Sequence, residues 1–429
     1  MAATMWCSLS ASAQHLMKKP KVQASLEETL RMVDKMNRHK NAYTTKLDSV
    51  TMYEGDNMRV LFDYDTRFNC TRIFLYYLYD EWETEVGFDF AYDEQDRMIT
   101  FIDYDEERKD ECIYNAQGLV EEIYRSRYQD DGTWELFEKQ VLTYDTDSHL
   151  VLSLVYDMEN GNWVESAKQT WDYEGGLLQT YTFYYHNEGE WTPAHKTEYV
   201  YNTEGLCIEE TESLWTSQEF WRPDNRIIYQ YDAQQHCIEK AEYIAWYDEG
   251  WAGQKKYSYE YDATGNLITE IYYTYQSDTQ EWEHRTKAEY QYDADHNCTD
   301  YYMYYMYFSS EDWDLEETYH LTYGSETVEE VSGLALFWEL FELEIPIHTR
   351  VNQYTLDEDG DLYALDFHYS STVGVEDQSD RDLKLWPNPA SQIVHIDGID
   401  VNEVQIYNTL GQLVKPVRQG AARMKSSST

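Results

Sequence analysis

The chain has 429 residues and a formal net charge of −49, from 82 acidic against 33 basic side chains. Such a surface repels phosphate backbones and anionic lipid, which excludes nucleic acid and acidic membranes as partners. Aromatic residues make up 16% of the chain, with 42 Tyr and 14 Trp, an excess suited to pleated β-structure, and past the N-terminus no apolar run is long enough for a membrane-spanning helix.

Residues 1–13 read as the end of a secretory leader: Met5 to Leu9 supply a short apolar run, and Ala11-Ser12-Ala13 a small-residue cleavage pattern. Residues 14–42 form an N-terminal cap region. Ser25 and Glu28 make a capping box for a helix over 25–38, with Leu26, Leu30 and Val33 on one face, expected to cover an open strand edge.

Residues 43–370 hold a repeat of about thirty residues. Its anchors are Tyr64, Tyr92, Tyr114, Tyr144, Tyr173, Tyr201, Tyr231, Tyr261, Tyr292 and Tyr323, most followed by Asp or Asn. A Trp lies ten residues before most of them, at 82, 134, 163, 191, 221, 251, 282 and 313. Aromatic–polar alternation before each anchor, as in Tyr257-Ser-Tyr259-Glu-Tyr261, marks a half-buried strand, and Asp262 to Asn266 carry turn chemistry. Each unit is therefore an antiparallel hairpin, with Trp and Tyr at opposite ends of one strand. Gly118, Gly205 and Gly265 recur at the turn, where a positive φ is expected, and His149, His236 and His296 are solvated residues of the same turn.

Ten is even, so without a bulge Trp and Tyr share one face, and the tyrosines twelve after an anchor join them. On that phase the neighbouring Tyr77, Tyr185, Tyr272, Tyr301 and Tyr305 point outward, as a candidate ladder for stacking on sugars or peptides. Cys70, Cys207, Cys237 and Cys298 each lie six after an anchor, in a slot that elsewhere holds Met98, Val120, Leu150 or Leu267, so they are buried thiols rather than disulfide halves. About twenty strands exceed what an open twisted sheet carries, so the all-β array is expected to curl or coil into a superhelix or partial shell. The copy at Leu356 to Leu362 reads as a capping repeat.

No catalytic motif is present, and no cofactor or metal site is assigned. Asp357, Asp359 and Asp361 with Gly360 hint at a calcium loop but read as a solvated turn. Residues 371–382 form a linker to a module over 383–429.

Two resemblances follow from these motifs. Tyr261-Asp-Ala-Thr-Gly-Asn-Leu-Ile-Thr-Glu270 resembles the YD repeats of Rhs-type bacterial proteins, which implies a continuous β-sheet wrapping into a shell. Pro387-Asn388-Pro389, followed by Tyr407-Asn408-Thr-Leu-Gly411-Gln, resembles the type A C-terminal sorting domain of the Bacteroidetes type IX secretion system. That likeness implies a small β-sandwich-like module, the type IX machinery as a partner, and a secreted or cell-surface location. Its last strands are expected to be missing beyond Val417. The expected function is a non-enzymatic binder of glycans or proteins through an aromatic sheet face; the alternative is a structural shell or spacer of the envelope.

Overall fold

A computed structural model describes residues 43–53, 58–78, 82–246, 250–307, 312–340, 345, 347–358 and 361–371. It also describes the helical residues Leu26, Thr29, Leu30 and Val33 and four short strands near the C-terminus. The chain divides into two compact units, Met1–Ser370 and Ser371–Thr429.

In the first unit the hairpins join edge to edge. Each strand pairs antiparallel with its sequence neighbours, as Trp251–Tyr261 does with Cys237–Ala245 and Leu267–Gln276. The order continues to the hairpin of Thr349–Glu358 and Asp361–Ser371, whose last strand pairs with the first, Thr45–Tyr53. The sheet has 23 strands, and all but the two-residue Val331–Ser332 form a closed ring. Side chains reinforce the closing seam: Thr51 Oγ1 lies 2.8 Å from His368 Nε2, and Ser370 donates to Asp48 at 3.0 Å. The array thus curls fully, and the expected superhelix or partial shell is corrected to a closed antiparallel barrel. Closure removes every strand edge, which a terminal cap would otherwise have to cover.

Two bulges per repeat decide which side chains share a face. The first lies three residues after the Trp: Glu242 pairs with Lys255 but Tyr243 with Gly253, leaving Gln254 unpaired. The second lies seven after the anchor: Tyr261 pairs with Leu267 but Glu260 with Thr269, leaving Ile268 unpaired. The same two shifts recur around Asp224, Arg285 and Glu316, and around Ile208, Ile238 and Thr299. Each extra residue inverts the alternation. Trp and anchor Tyr therefore lie on opposite faces, and the tyrosines twelve after an anchor lie with the Trp. The expected shared face is overturned by these bulges.

The anchor face is the core face. Val60, Phe62, Ile73, Phe88, Phe90 and Met98 are buried there, and the helix Leu334–Leu340 packs on it. Phe337 meets Phe62 and Phe367 with ring centroids 6.2 and 5.5 Å apart. Leu26 and Val33 join this cluster, so the N-terminal helical residues pack against the core face instead of covering an edge. Thr29 ties them to the wall: it donates to Asp110 at 3.2 Å and accepts from Arg125 at 3.3 Å. Ser25, Glu28 and the leader residues lie outside the described residues. The Leu356 to Leu362 hairpin closes the ring and does not act as a cap.

The second unit contains two hairpins, Lys384–Trp386 with His395–Asp397 and Glu403–Tyr407 with Leu413–Arg418. Tyr407 ends a strand there, while Pro387, Asn388, Pro389, Asn408 and Gly411 lie outside the described residues.

Candidate functional site

The anchor tyrosines form a hydroxyl rail. Tyr92 donates to the Cys70 carbonyl at 2.7 Å, Tyr144 to Val120 at 2.8 Å, Tyr231 to Cys207 at 2.8 Å and Tyr323 to Cys298 at 2.6 Å. Tyr114, Tyr201, Tyr261 and Tyr292 make the same bond to Met98, Leu178, Cys237 and Leu267. Each acceptor sits beside the bulge of the preceding repeat, so one hydroxyl joins one hairpin to the next. The described cysteines are free thiols. Burial pushes Cys112 and Cys298 up to about 12 and Cys70 higher still, which leaves these sulfurs protonated and unreactive.

The residue after each anchor builds the turn. Asp262 Oδ1 accepts from Thr264 and Asn266 backbone N–H groups at 2.8 and 3.0 Å, and Asp93, Asn115, Asn202 and Asp232 repeat this. The fourth residue after the anchor takes a positive φ: 91° at Gly265, 82° at Gly205, 71° at Gln235 and 65° at His296. His149 and His236 instead bond the turn aspartate at 3.0 Å and stack on Tyr173 and Tyr261 at 4.6 Å. Asp145, Asp147 and His149 bring three ligand-type atoms within 4.8 Å, but these side chains already order an exposed turn. Asp357 and Asp361 border a tight turn, whereas Asp359 and Gly360 lie outside the described residues.

The opposite face carries a ladder of cations and rings. Lys256 lies 4.3 Å from the Tyr273 ring and 5.6 Å from Trp282, the tryptophan of the following repeat. Lys168 sits likewise on Tyr184 and Trp191, and Lys287 on Tyr304 and Trp313. Lys139, Lys196 and Arg226 reach Trp163, Trp221 and Trp251. All six stand five residues after a Trp, and five of them also meet a carboxylate, as Lys256 does Glu239 at 3.7 Å. This recurrent basic residue, five after the Trp, is legible in the sequence, although the aromatic spacing alone does not point to it. Among the described residues no helix is long and apolar enough to cross a membrane.

Four of the five tyrosines expected to point outward, Tyr185, Tyr272, Tyr301 and Tyr305, lie on the anchor face. Tyr272 pairs with Tyr257 at 5.1 Å between rings, and Tyr301 stacks on Tyr290 and Tyr319 at 4.9 and 4.8 Å. Tyr305 donates to the buried Glu317 at 3.4 Å, and burial raises its phenol to about 12. Tyr77 pairs with Met58 in the backbone register, and its side chain lies outside the described residues. Tyr185 shares that face through Phe183, 4.9 Å away, yet is 55% exposed because it lies near the hairpin end. The bulge after the anchor, seven residues on at Ile268 and Thr299 but six on at Gln179, is the cause of the correction.

Exposure has a different pattern. The exposed aromatic side chains among the described residues are Tyr104, Tyr128, Tyr185, Phe220, Trp246 and Tyr307. All stand at hairpin ends on the Trp side, none at the Asp and Asn turns. At this rim ring pairs clamp the strands, as in Tyr128 with Trp134, Trp215 with Trp221 and Tyr275 with Trp282, each about 5 Å apart and edge to face. One rim is thus aromatic and the other polar.

Fold and site together define a closed barrel of repeated β-hairpins with an aromatic rim. Residues 384–428 match the family described as the secretion system C-terminal sorting domain, which marks export by the type IX system to the cell surface or extracellular space. No curated protein matches the chain. Among solved structures it is similar to a Bacteroides fragilis protein of unknown function, at 22% identity and TM-score 0.25 over 29% of this chain and 91% of that one. A porin-like protein from Bacteroides uniformis aligns at 9% identity and TM-score 0.26, over 57% of this chain and 96% of that one. A TcdB2-TccC3 crystal structure aligns at 10% identity and TM-score 0.34, over 84% of this chain and 19% of that one. These similarities are too low to transfer a fold or a function.

Proposed function

We propose that this secreted or cell-surface protein is a non-enzymatic binder of extracellular glycans or proteins, with the aromatic rim as its contact surface. The observation that supports the reading is the segregation of exposed rings to one rim. Exposed rings cost solvation wherever they stand, and flat rings stack on sugars and pack on protein side chains. The hairpins are read as YD-type repeats, whose role here is to hold the rim rigid. The inner tyrosines at 272, 301 and 305 are read as packing. The test is a screen of the purified full chain against glycan and extracellular-protein arrays, beside the double variant Phe220→Ala, Trp246→Ala. A specific hit that the double variant loses supports the reading. A blank screen favours an envelope spacer, and turnover of a bound glycan makes the protein an enzyme.

A further inference from the structure

The exposed rings share their rim with unpaired acid. Glu188, Glu190, Glu219, Asp278 and Glu281 are exposed in the same hairpin ends as the exposed Tyr185 and Phe220 and the half-buried Trp282. Ion pairs of these strands lie farther along, at Lys139, Lys196, Arg226, Lys256 and Lys287, and beside the rim Arg222 meets Asp224 and Arg285 meets Glu283, none of them using the rim carboxylates named above. The opposite rim is acidic too, but there Asp93, Asp232 and Asp262 spend a carboxylate oxygen on backbone N–H groups and no exposed ring stands beside them. Among the described residues the Trp-side rim is the one that combines an open ring with an uncommitted carboxylate.

We propose that this rim docks a basic polypeptide segment, rich in Lys and Arg. The inference rests on the binding function above and names the partner's chemistry. An ammonium or guanidinium group lies favourably over a ring face, and a carboxylate beside it adds a charge-assisted contact. The protein already uses this combination on its own lysines: Lys256 rests on Tyr273 and Trp282 with Glu239 beside it. A neutral sugar would cover the rim carboxylates without supplying a partner, which costs desolvation. Successive hairpins stand about 10 Å apart, two strand spacings, and a polyproline II segment, with three residues per turn and a rise of about 3.1 Å, covers that in one turn and returns to the same face. A segment with a basic side chain at every third position thus meets one ring and one carboxylate per hairpin.

The experiment titrates the full chain with a labelled peptide carrying Lys at every third position. Parallel arms use its Ser-substituted counterpart, a neutral oligosaccharide and an amine-bearing oligosaccharide, each at low and high salt. The basic peptide should bind best, weaken with salt, and lose about fivefold or more in the double variants Phe220→Ala, Trp246→Ala and Glu188→Gln, Glu190→Gln. Melting temperatures of the variants establish that they fold. Asp147→Asn, on the opposite rim, serves as the control for attraction by net charge alone. The proposal is overturned if Asp147→Asn weakens the peptide as much as the rim variants do, or if the amine-bearing sugar binds and the peptide does not. A neutral sugar bound at the rim without salt dependence would also overturn it while leaving the binding function standing. No rim-dependent binding in any arm would remove both.

Discussion

Replacing Tyr92 by Phe tests the hydroxyl rail. The ring remains, and only the hydroxyl that donates to the Cys70 carbonyl at 2.7 Å is removed. Burial raises the Tyr92 phenol well above its ordinary value, and Cys70 is 4% exposed, so water has little access to replace the bond. A buried acceptor left unpaired costs about 1–3 kcal/mol. Tyr231 makes the equivalent bond to Cys207 at 2.8 Å, but there both residues are only partly buried. Water can reach that carbonyl, so Tyr231→Phe should cost about 0.5–1 kcal/mol. Urea unfolding of the full chain, followed by tryptophan fluorescence, measures both: the Tyr92 variant should show the larger fall in midpoint at unchanged slope. A Tyr92→Phe protein as stable as the parent, or no less stable than Tyr231→Phe, would refute the assignment of the rail as a buried inter-repeat bond.

Three further outcomes follow from the same geometry. A double-mutant cycle on Lys256→Met and Trp282→Ala should give a coupling of about 0.5–1 kcal/mol in chemical unfolding, since the ammonium lies over the ring and is largely covered; zero coupling removes the ladder as a stabilising element. Gly265→Ala, at φ 91° and with His236 Nε2 only 3.2 Å from the added carbon, should cost about 1–2 kcal/mol, whereas Gln235→Gly, at φ 71°, should be neutral or stabilising by calorimetry. Asp103 is buried, and desolvation raises its carboxyl to about 6 against the opposing backbone N–H bonds from Glu106 and Asp105. A raised carboxyl favours its protonated form in the folded state, so this stabilisation is full below about pH 4 and is lost as pH rises through about 6. Asp103→Asn should flatten that part of the stability–pH curve, by about 3 kcal/mol at most; an unchanged slope between pH 4 and 7 would contradict the assignment.

Much of the architecture was legible in the chain. Tyr followed by Asp or Asn, then Gly four after the anchor, specifies a local turn, because one carboxylate or amide and one positive φ suffice to build it. The apolar slot six after the anchor reads as buried; Cys70 and Cys298 are, whereas Cys207 and Cys237 are only half-buried. The sorting motif reads from Pro387 and Tyr407 without any fold.

Which face a side chain occupies was not legible. Counting residues by two predicts that Trp251 and Tyr261 point the same way, yet Gln254 and Ile268 are unpaired and each inverts the phase. A bulge is a property of two strands in register, and neither residue type announces it. For that reason the alternation points Tyr272, Tyr301 and Tyr305 outward and carries no signal for Phe220 and Trp246, which lie inside hairpin loops. The sequence by itself determined the hairpin, its turn and the export signal, because each depends on residues close in the chain. Closure of the ring, burial of the N-terminal helical residues on its core face and the gathering of exposed rings on one rim depend on pairing between strands over three hundred residues apart, and only the tertiary structure decided them.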